Sequence, residues 1–323
     1  MVTNNAVKWV HLFDKMGKNP KHVEILQEIT VGYSSVVYLI SVNGQQYAVK
    51  MYNGRYNGTS ICLTERNNIL RVAKTIGDIV PCVQFYSKHT ENEFHRDLLV
   101  MEKALGVPLI SEVFNEQVFD ELVNSLQRLH RIQLPTERTI DEIARIDACR
   151  ETILQYVKRD SCVAPDRVVT HLDDLRNYYL EKEEIFNLPK TIVHGDLWWD
   201  NILVDDQRIT IVDWLEMSEQ DYCRELAQFK IGTLNEILDA SESQRFFERM
   251  MDAYRAEFRD ETVLERVRYY LPLMYLEESF YLPFQFFPWK IKYDEDAGNF
   301  RLRFLDYFRR SERFFQYGQD GPP

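Results

Sequence analysis

Between Thr191 and Trp214 the chain reads TIVHGDLWWDNILVDDQRITIVDW, and this stretch leaves the backbone little freedom. Ile202-Leu203-Val204 and the run from Ile209 to Val212 are short apolar strands flanking the polar turn Asp205-Asp206-Gln207, the pattern of a tight β-hairpin. A hairpin returns the chain beside its own start. Asn201, just before the first strand, and Asp213, just after the second, are therefore predicted to lie together. Asp196 follows His194 and Gly195 in a loop five residues upstream of Asn201. Taken singly, each is readable as an ordinary turn, cap or strand-end residue.

Together these three residues suit phosphoryl transfer, which demands an in-line hydroxyl and cations that neutralise charge spreading over the γ-phosphoryl oxygens. Asp196 is the candidate base for the acceptor hydroxyl. Asn201 and Asp213 offer the hard oxygen atoms that Mg²⁺ prefers. His194 is expected to brace the loop backbone rather than move protons. Trp198 and Trp199 are expected to pack, with room for one of them to line an acceptor pocket.

HGDLWWDN followed by IVDW resembles the aminoglycoside phosphotransferase and choline kinase group, which includes fructosamine kinases. Protein kinases carry His-Arg-Asp and Asp-Phe-Gly at these two places, whereas here Gly195 follows the histidine and Trp214 the second aspartate. That departure favours a small-molecule kinase. The resemblance implies an α+β, protein-kinase-like fold of two lobes. Residues 1–103 would form a small N-terminal β-sheet lobe with one main helix that binds ATP, and residues 104–323 a larger, mostly helical lobe for catalysis and acceptor binding. Asp196 would be the catalytic base, with Asn201 and Asp213 holding Mg²⁺.

A nucleotide lobe should then precede the loop. Gln46 to Tyr52 alternates as a strand with Ala48 and Lys50 on one face, and Ala48-Val49-Lys50 matches the end of the kinase pattern V-A-I-K. Lys50 would hold the α- and β-phosphates; the alternative is a solvated surface lysine. A helix is predicted from Ile61 to Ile76, with Glu65 on the inward stripe of Ile69, Val72 and Ile76. A buried glutamate needs a partner, and Lys50 is the candidate. The phosphate loop is degraded: in the run Thr30 to Val37, Gly32 alone matches the glycine pattern, and Ser35 stands where the third glycine is expected. Ser34 or Ser35 is expected to bond a phosphate through backbone or hydroxyl, with Val37 closing the motif; a plain hairpin turn is the other reading. Leu98 to Lys103 reads as the lobe's last strand, broken by Gly106-Val107-Pro108. The resemblance implies a hinge in which Met101 borders the adenine pocket and the backbone of Glu102 and Ala104 meets the adenine edge.

Helices are expected to dominate after the hinge, from Phe119 to Leu129, 141 to 156, 171 to 185 and 221 to 238. His130, closing the first of these, is read as structural. Asp221 with Glu225-Leu226-Ala227 partly matches an Asp…Asp-Leu-Ala pattern of related kinases, and Asp221 also suits a helix N-terminus. Aromatic residues crowd from Tyr269 to Trp289 around Glu277 and Glu278, readable as helical core or as an amine-binding pocket.

A net charge of −12 without a basic face argues against nucleic acid and suits a cationic, small hydroxyl acceptor. The five cysteines lack paired spacing and read as reduced thiols. Charged residues interrupt the apolar N-terminus, and three prolines and two glutamates interrupt the run from Tyr269 to Trp289, so neither a signal peptide nor a membrane span is expected and the cytoplasm is the expected compartment. Acceptor identity and oligomeric state are not legible. Two rival readings are a catalytically idle nucleotide-binding scaffold, motivated by the degraded glycine loop, and a protein Ser/Thr kinase, opposed by the missing Ala-Pro-Glu segment.

Overall fold

The turn Asn43-Gly44 sets the first sheet. Both residues have positive φ, 52° and 88°, the conformation of a two-residue hairpin whose twist matches its strands. In the computed structural model, which describes residues 3–29, 35–53, 61–132, 142–160, 163–186, 188–286 and 294–317, this hairpin joins the second and third of ten strands among the described residues. Along the chain come α1 (Thr3–Lys15), β1 (Val23–Ile29), β2 (Ser35–Val42), β3 (Gln45–Tyr52), α2 (Ile61–Ile76), β4 (Val83–Ser87) and β5 (Leu98–Glu102). Then follow β6 (Val107–Pro108), α3 (Glu116–His130), α4 (Glu142–Asp160), α5 (Pro165–Glu181), α6 (Glu183–Phe186), β7 (Thr191–Val193), β8 (Ile202–Asp205) and β9 (Arg208–Ile211). The chain continues with β10 (Ser218–Gln220), α7 (Tyr222–Phe229), a π-helical turn (Lys230–Leu234), α8 (Asn235–Ile237), α9 (Ala240–Phe258), α10 (Val263–Phe286) and α11 (Asp294–Tyr317).

Antiparallel pairing orders the first sheet β1-β2-β3-β5-β4. Alternation gives it two distinct faces. Ile40, Tyr47, Val49, Met51, Leu98 and Val100 point one way and pack on Trp9, Leu12 and Phe13 of α1. The opposite face carries Lys50. A smaller sheet runs in the order β6-β8-β9. In the segment Gly106-Val107-Pro108, expected to break the preceding strand into a crossing segment, Val107–Pro108 forms the edge strand of this sheet, where a proline without an N–H is tolerated. Gly106 enters it at φ +95°, and a Cβ there would lie 2.1 Å from the Val204 carbonyl oxygen.

The chain divides into two compact units, Met1–Leu129 with Asp200–Met217, and His130–Trp199 with Ser218–Pro323. The first unit extends past residue 103 because β6 is laddered to β8 and because Arg128 of α3 clasps Asp78 through two hydrogen bonds of 2.8 and 2.6 Å. The second unit contains the β7–β10 pair and the remaining helices, with Tyr269, Tyr270, Tyr275, Phe304 and Phe308 in its core. Glu277, a candidate for an amine pocket, is buried against the guanidinium groups of Arg145 and Arg224, and their charges outweigh burial to hold its pKa below the ordinary value. Its charge is thus already matched within the core. Phe287 and Trp289 lie outside the described residues. No helix among the described residues is long and apolar enough to cross a membrane.

Candidate active site

In the first unit, β3 presents Ala48, Lys50 and Tyr52 on one face. Pairing sets Val37 and Ser35 of β2 opposite Lys50 and Tyr52, and Met101 of β5 opposite Ala48. Five residues expected at the nucleotide, Ser35, Val37, Ala48, Lys50 and Met101, therefore share one sheet face. Gly32 and Ser34 lie outside the described residues. Glu102 donates its backbone N–H to the Cys82 carbonyl at 2.9 Å, so that N–H is engaged within the sheet. Ala104 is half-buried two residues further on.

From α2, Glu65 reaches Lys50. The lysine Nζ is 3.1 Å from Glu65 Oε1 and 2.8 Å from Oε2, and it also lies 2.8 Å from Asp213 Oδ1. The Lys50 and Glu65 side chains are 5% and 1% exposed, the Asp213 side chain 38%. Burial opposes the ammonium charge, but Glu65 and then Asp213 outweigh it and raise the pKa of Lys50. Burial raises that of Glu65 against the pull of Lys50. The Tyr52 hydroxyl donates to Glu65 Oε2 at 2.5 Å.

Asp213 leaves β9 with left-handed backbone angles, φ 63° and ψ 62°. That conformation costs an L-residue on the order of 1–2 kcal/mol, so its surroundings must hold it. Val212 donates its N–H to the Asn201 carbonyl at 2.9 Å, closing the β8–β9 hairpin and bringing Asn201 and the residue before Asp213 side by side. On the other side, the buried Trp214 donates its indole N–H to the Ile211 carbonyl at 2.7 Å, and Asn68 of α2 donates to the Trp214 carbonyl at 2.8 Å. One helix therefore grips both Lys50, through Glu65, and the chain following Asp213, through Asn68 three residues later.

The amide of Asn201 and the carboxylate of Asp213 are hard oxygen donors flanking one hairpin, and they fit Mg²⁺. No cluster of three or more His, Cys, Asp or Glu that could hold a metal occurs among the described residues. A pair of oxygen side chains suits a cation that takes its other ligands from phosphate and water.

Asp196 belongs to the second unit, where the loop after β7 lies along α7 and the π-helical turn. Gly195 adopts φ +82°, a conformation favouring glycine. It donates its N–H to Glu225 Oε1 at 2.8 Å. Gln228 then brackets Asp196: its Nε2 donates to the Gly195 carbonyl at 3.2 Å, and its Oε1 accepts the Leu197 N–H at 3.2 Å. Thr233 donates to the Leu197 carbonyl at 3.1 Å. At Gly232 a Cβ would lie 2.7 Å from the Trp198 indole, so the missing side chain lets that ring settle on the helix. The π-helical turn over this stretch is the kind of local widening that often accompanies functional sites.

Behind the loop, His130 lies 2.7 Å from Glu225 Oε2 and 2.8 Å from the Tyr254 hydroxyl, all three buried. His194 is wholly buried, its Nδ1 accepting the Asp196 N–H at 3.3 Å. Asp221 caps α7 by accepting the Cys223 N–H at 2.9 Å, and its carboxylate also meets the buried Arg266. Asp196 itself is half-buried.

Sequence reasoning missed Tyr52, Asn68, Gln228, Gly232 and Thr233. Spacing held a signal for two of them: Tyr52 follows Lys50 by two residues on a strand, and Asn68 follows Glu65 by three on a helix. Gln228 and Thr233 left none because they satisfy backbone groups, and Gly232 left none because it only makes room for the Trp198 ring.

The solved structures similar to this chain agree in fold. An ADP-bound aminoglycoside phosphotransferase APH(2'')-Ib aligns with a TM-score of 0.63 at 13% identity, covering 96% of this chain and 99% of that one. Aminoglycoside phosphotransferase APH(4)-Ia aligns at 0.62 and 16% identity over 100% of both chains. Choline kinase from Cryptosporidium parvum aligns at 0.64 and 13% identity over 92% of this chain and 91% of that one. These likenesses establish a two-lobed, protein-kinase-like α+β fold. No curated protein sequence matches significantly. The sequence profile of the phosphotransferase enzyme family APH matches residues 25–270, and the chain belongs to that family.

Proposed function

We propose that this chain transfers the γ-phosphoryl group of ATP to a hydroxyl of a small, amine-bearing molecule. The observation that carries the reading is the buried Lys50–Glu65 pair whose ammonium also meets Asp213. A lysine that stays charged while buried is suited to phosphate, and its tie to Asp213 links phosphate binding to a candidate metal ligand. Residues 1–103 serve as the nucleotide lobe, with Val37, Ala48 and Met101 lining the nucleotide and the backbone of Glu102 and Ala104 at the adenine. Residues 104–323 carry the base and the acceptor site. Bound through Asn201 and Asp213, Mg²⁺ would neutralise charge on the phosphates.

Asp196 takes the proton of the acceptor hydroxyl as that oxygen forms its bond to the γ-phosphorus. The bond from that phosphorus to the bridging oxygen breaks, ADP leaves with the electron pair, and the proton passes from Asp196 to solvent. Family membership and the two aminoglycoside phosphotransferases and choline kinase among similar structures support an amine-bearing acceptor. The net charge of −12 points the same way.

The test is a screen of amino alcohols, aminoglycosides and amino sugars for acceptor-stimulated ADP release. Asp196→Ala is expected to abolish the stimulated rate while leaving ATP affinity near wild type, because it removes a base and no phosphate ligand. A retained rate would remove Asp196 from the role of base. Failure of Lys50→Ala to weaken ATP binding would overturn the reading of the nucleotide site.

A further inference from the structure

We infer that Tyr52 is a positioning residue for nucleotide phosphates, acting through Glu65 on Lys50; this rests on the phosphotransferase reading of the Lys50 site. The residue is the last of β3 and shares the face of Lys50. Its side chain is nearly inaccessible, yet it ends in a hydroxyl that donates to Glu65 Oε2 at 2.5 Å. A phenylalanine would fill the same apolar space, so packing alone does not account for the hydroxyl.

The need for it follows from the carboxylate. The terminal torsion of a glutamate is broad and roughly two-fold, so a single cation does not fix the plane of its oxygens. Lys50 spans both oxygens, at 3.1 and 2.8 Å, and would follow the carboxylate as it turned. Tyr52 approaches Oε2 from a rigid ring on the same strand as the lysine. With one oxygen pinned, the carboxylate plane is set, and with it the direction of the ammonium.

The ring adds a second constraint, because Lys50 Nζ lies 5.5 Å from its centroid, within cation–π range. Lys50 is thus held by a carboxylate in a fixed plane, by an aromatic face and by Asp213. Removing the hydroxyl leaves the ring, the ion pair and the metal-side carboxylate in place, but frees the carboxylate to turn.

Isothermal titration of the 323-residue chain with Mg-ATP and with adenosine tests this. Tyr52→Phe is expected to weaken ATP binding roughly tenfold, the scale of one lost hydrogen bond to a charged group, with adenosine affinity unchanged. In a Glu65→Ala background the same change should have no further effect on ATP affinity, since the path through Glu65 is gone. Unchanged ATP affinity in Tyr52→Phe, beside a large loss in Lys50→Ala, overturns the role of Tyr52 alone. Equal losses for ATP and adenosine, or additive losses in the double variant, overturn it as well. ATP affinity indifferent to Lys50→Ala overturns both this inference and the nucleotide site.

Discussion

Lys50 in the first unit and the Asp196 loop in the second are secured on opposite terms. Lys50 in the first unit is fixed by charge, between the buried carboxylate of Glu65 and the more exposed one of Asp213. The loop bearing Asp196 in the second unit is fixed through its backbone, by Glu225, Gln228 and Thr233 acting on Gly195 and Leu197. The chemistry proposed for each side chain accounts for the difference. A lysine meant for phosphates must stay charged out of water, which takes opposite charge close by. The backbone bonds hold the loop at Gly195 and Leu197, on either side of the proposed base, and at the Asp196 N–H, which donates to His194.

The largest expected effect comes from breaking the charged cluster around Lys50. Lys50→Met leaves Glu65 buried without its cation and should cost about 3–5 kcal/mol, read as a lower denaturant midpoint, together with loss of ATP binding. Replacing the whole cluster, Lys50→Met with Glu65→Leu and Tyr52→Phe, should restore most of the stability, since apolar groups of similar volume substitute well for a buried ion pair. ATP binding should not return. If Lys50→Met alone is as stable as wild type, charge does not hold this cluster together.

The charged cluster was also more legible than the loop. Alternation around Lys50 and the stripe around Glu65 are periodic signals, and a buried acid calls for a partner, so the pair could be anticipated. The β8–β9 hairpin likewise announces itself through two apolar runs around a polar turn. What stayed hidden is of another kind. Gln228 and Thr233 bond backbone groups far away in sequence, and no residue type at the loop advertises that need. The aromatic run after Tyr269 offered two readings because core and pocket use the same side chains. Only the pairing of Glu277 with Arg145 and Arg224 shows that this acid serves the core.

A histidine in the second unit extends the contrast and predicts a pH response. His171 Nε2 lies 2.7 Å from Ser311 Oγ, whose own proton goes to the Pro272 carbonyl at 2.6 Å, so the ring donates from Nε2. Burial, aided by the Arg167 charge, lowers its pKa from 6.5 to about 4. Between those values the unfolded chain binds a proton that the folded chain does not, so stability falls as pH drops through the window and is full above it. The contribution is at most about 3 kcal/mol, because each pKa unit is worth 1.36 kcal/mol. Melting temperatures across pH 7 to 4 should fall less steeply for His171→Gln than for wild type; parallel curves would show that another group carries the acid sensitivity.

The smallest stability effect, and the one that most sharpens the comparison, belongs to Gln228. Its amide makes two hydrogen bonds of 3.2 Å, both to backbone groups beside Asp196. Gln228→Ala should therefore cost only about 1–2 kcal/mol in the melting midpoint, the ordinary scale for neutral hydrogen bonds. Turnover should suffer more, because a base displaced by a fraction of an ångström no longer meets the acceptor hydroxyl in line, and roughly a tenfold loss in kcat is expected. ATP affinity should stay at the wild-type value, since the change leaves Lys50, Glu65 and Asp213 untouched. A variant that loses ATP affinity in step with kcat would mean that Gln228 supports the nucleotide side as well. The division between a lysine held by charge and a loop held by backbone would then fail as a separation of nucleotide binding from turnover.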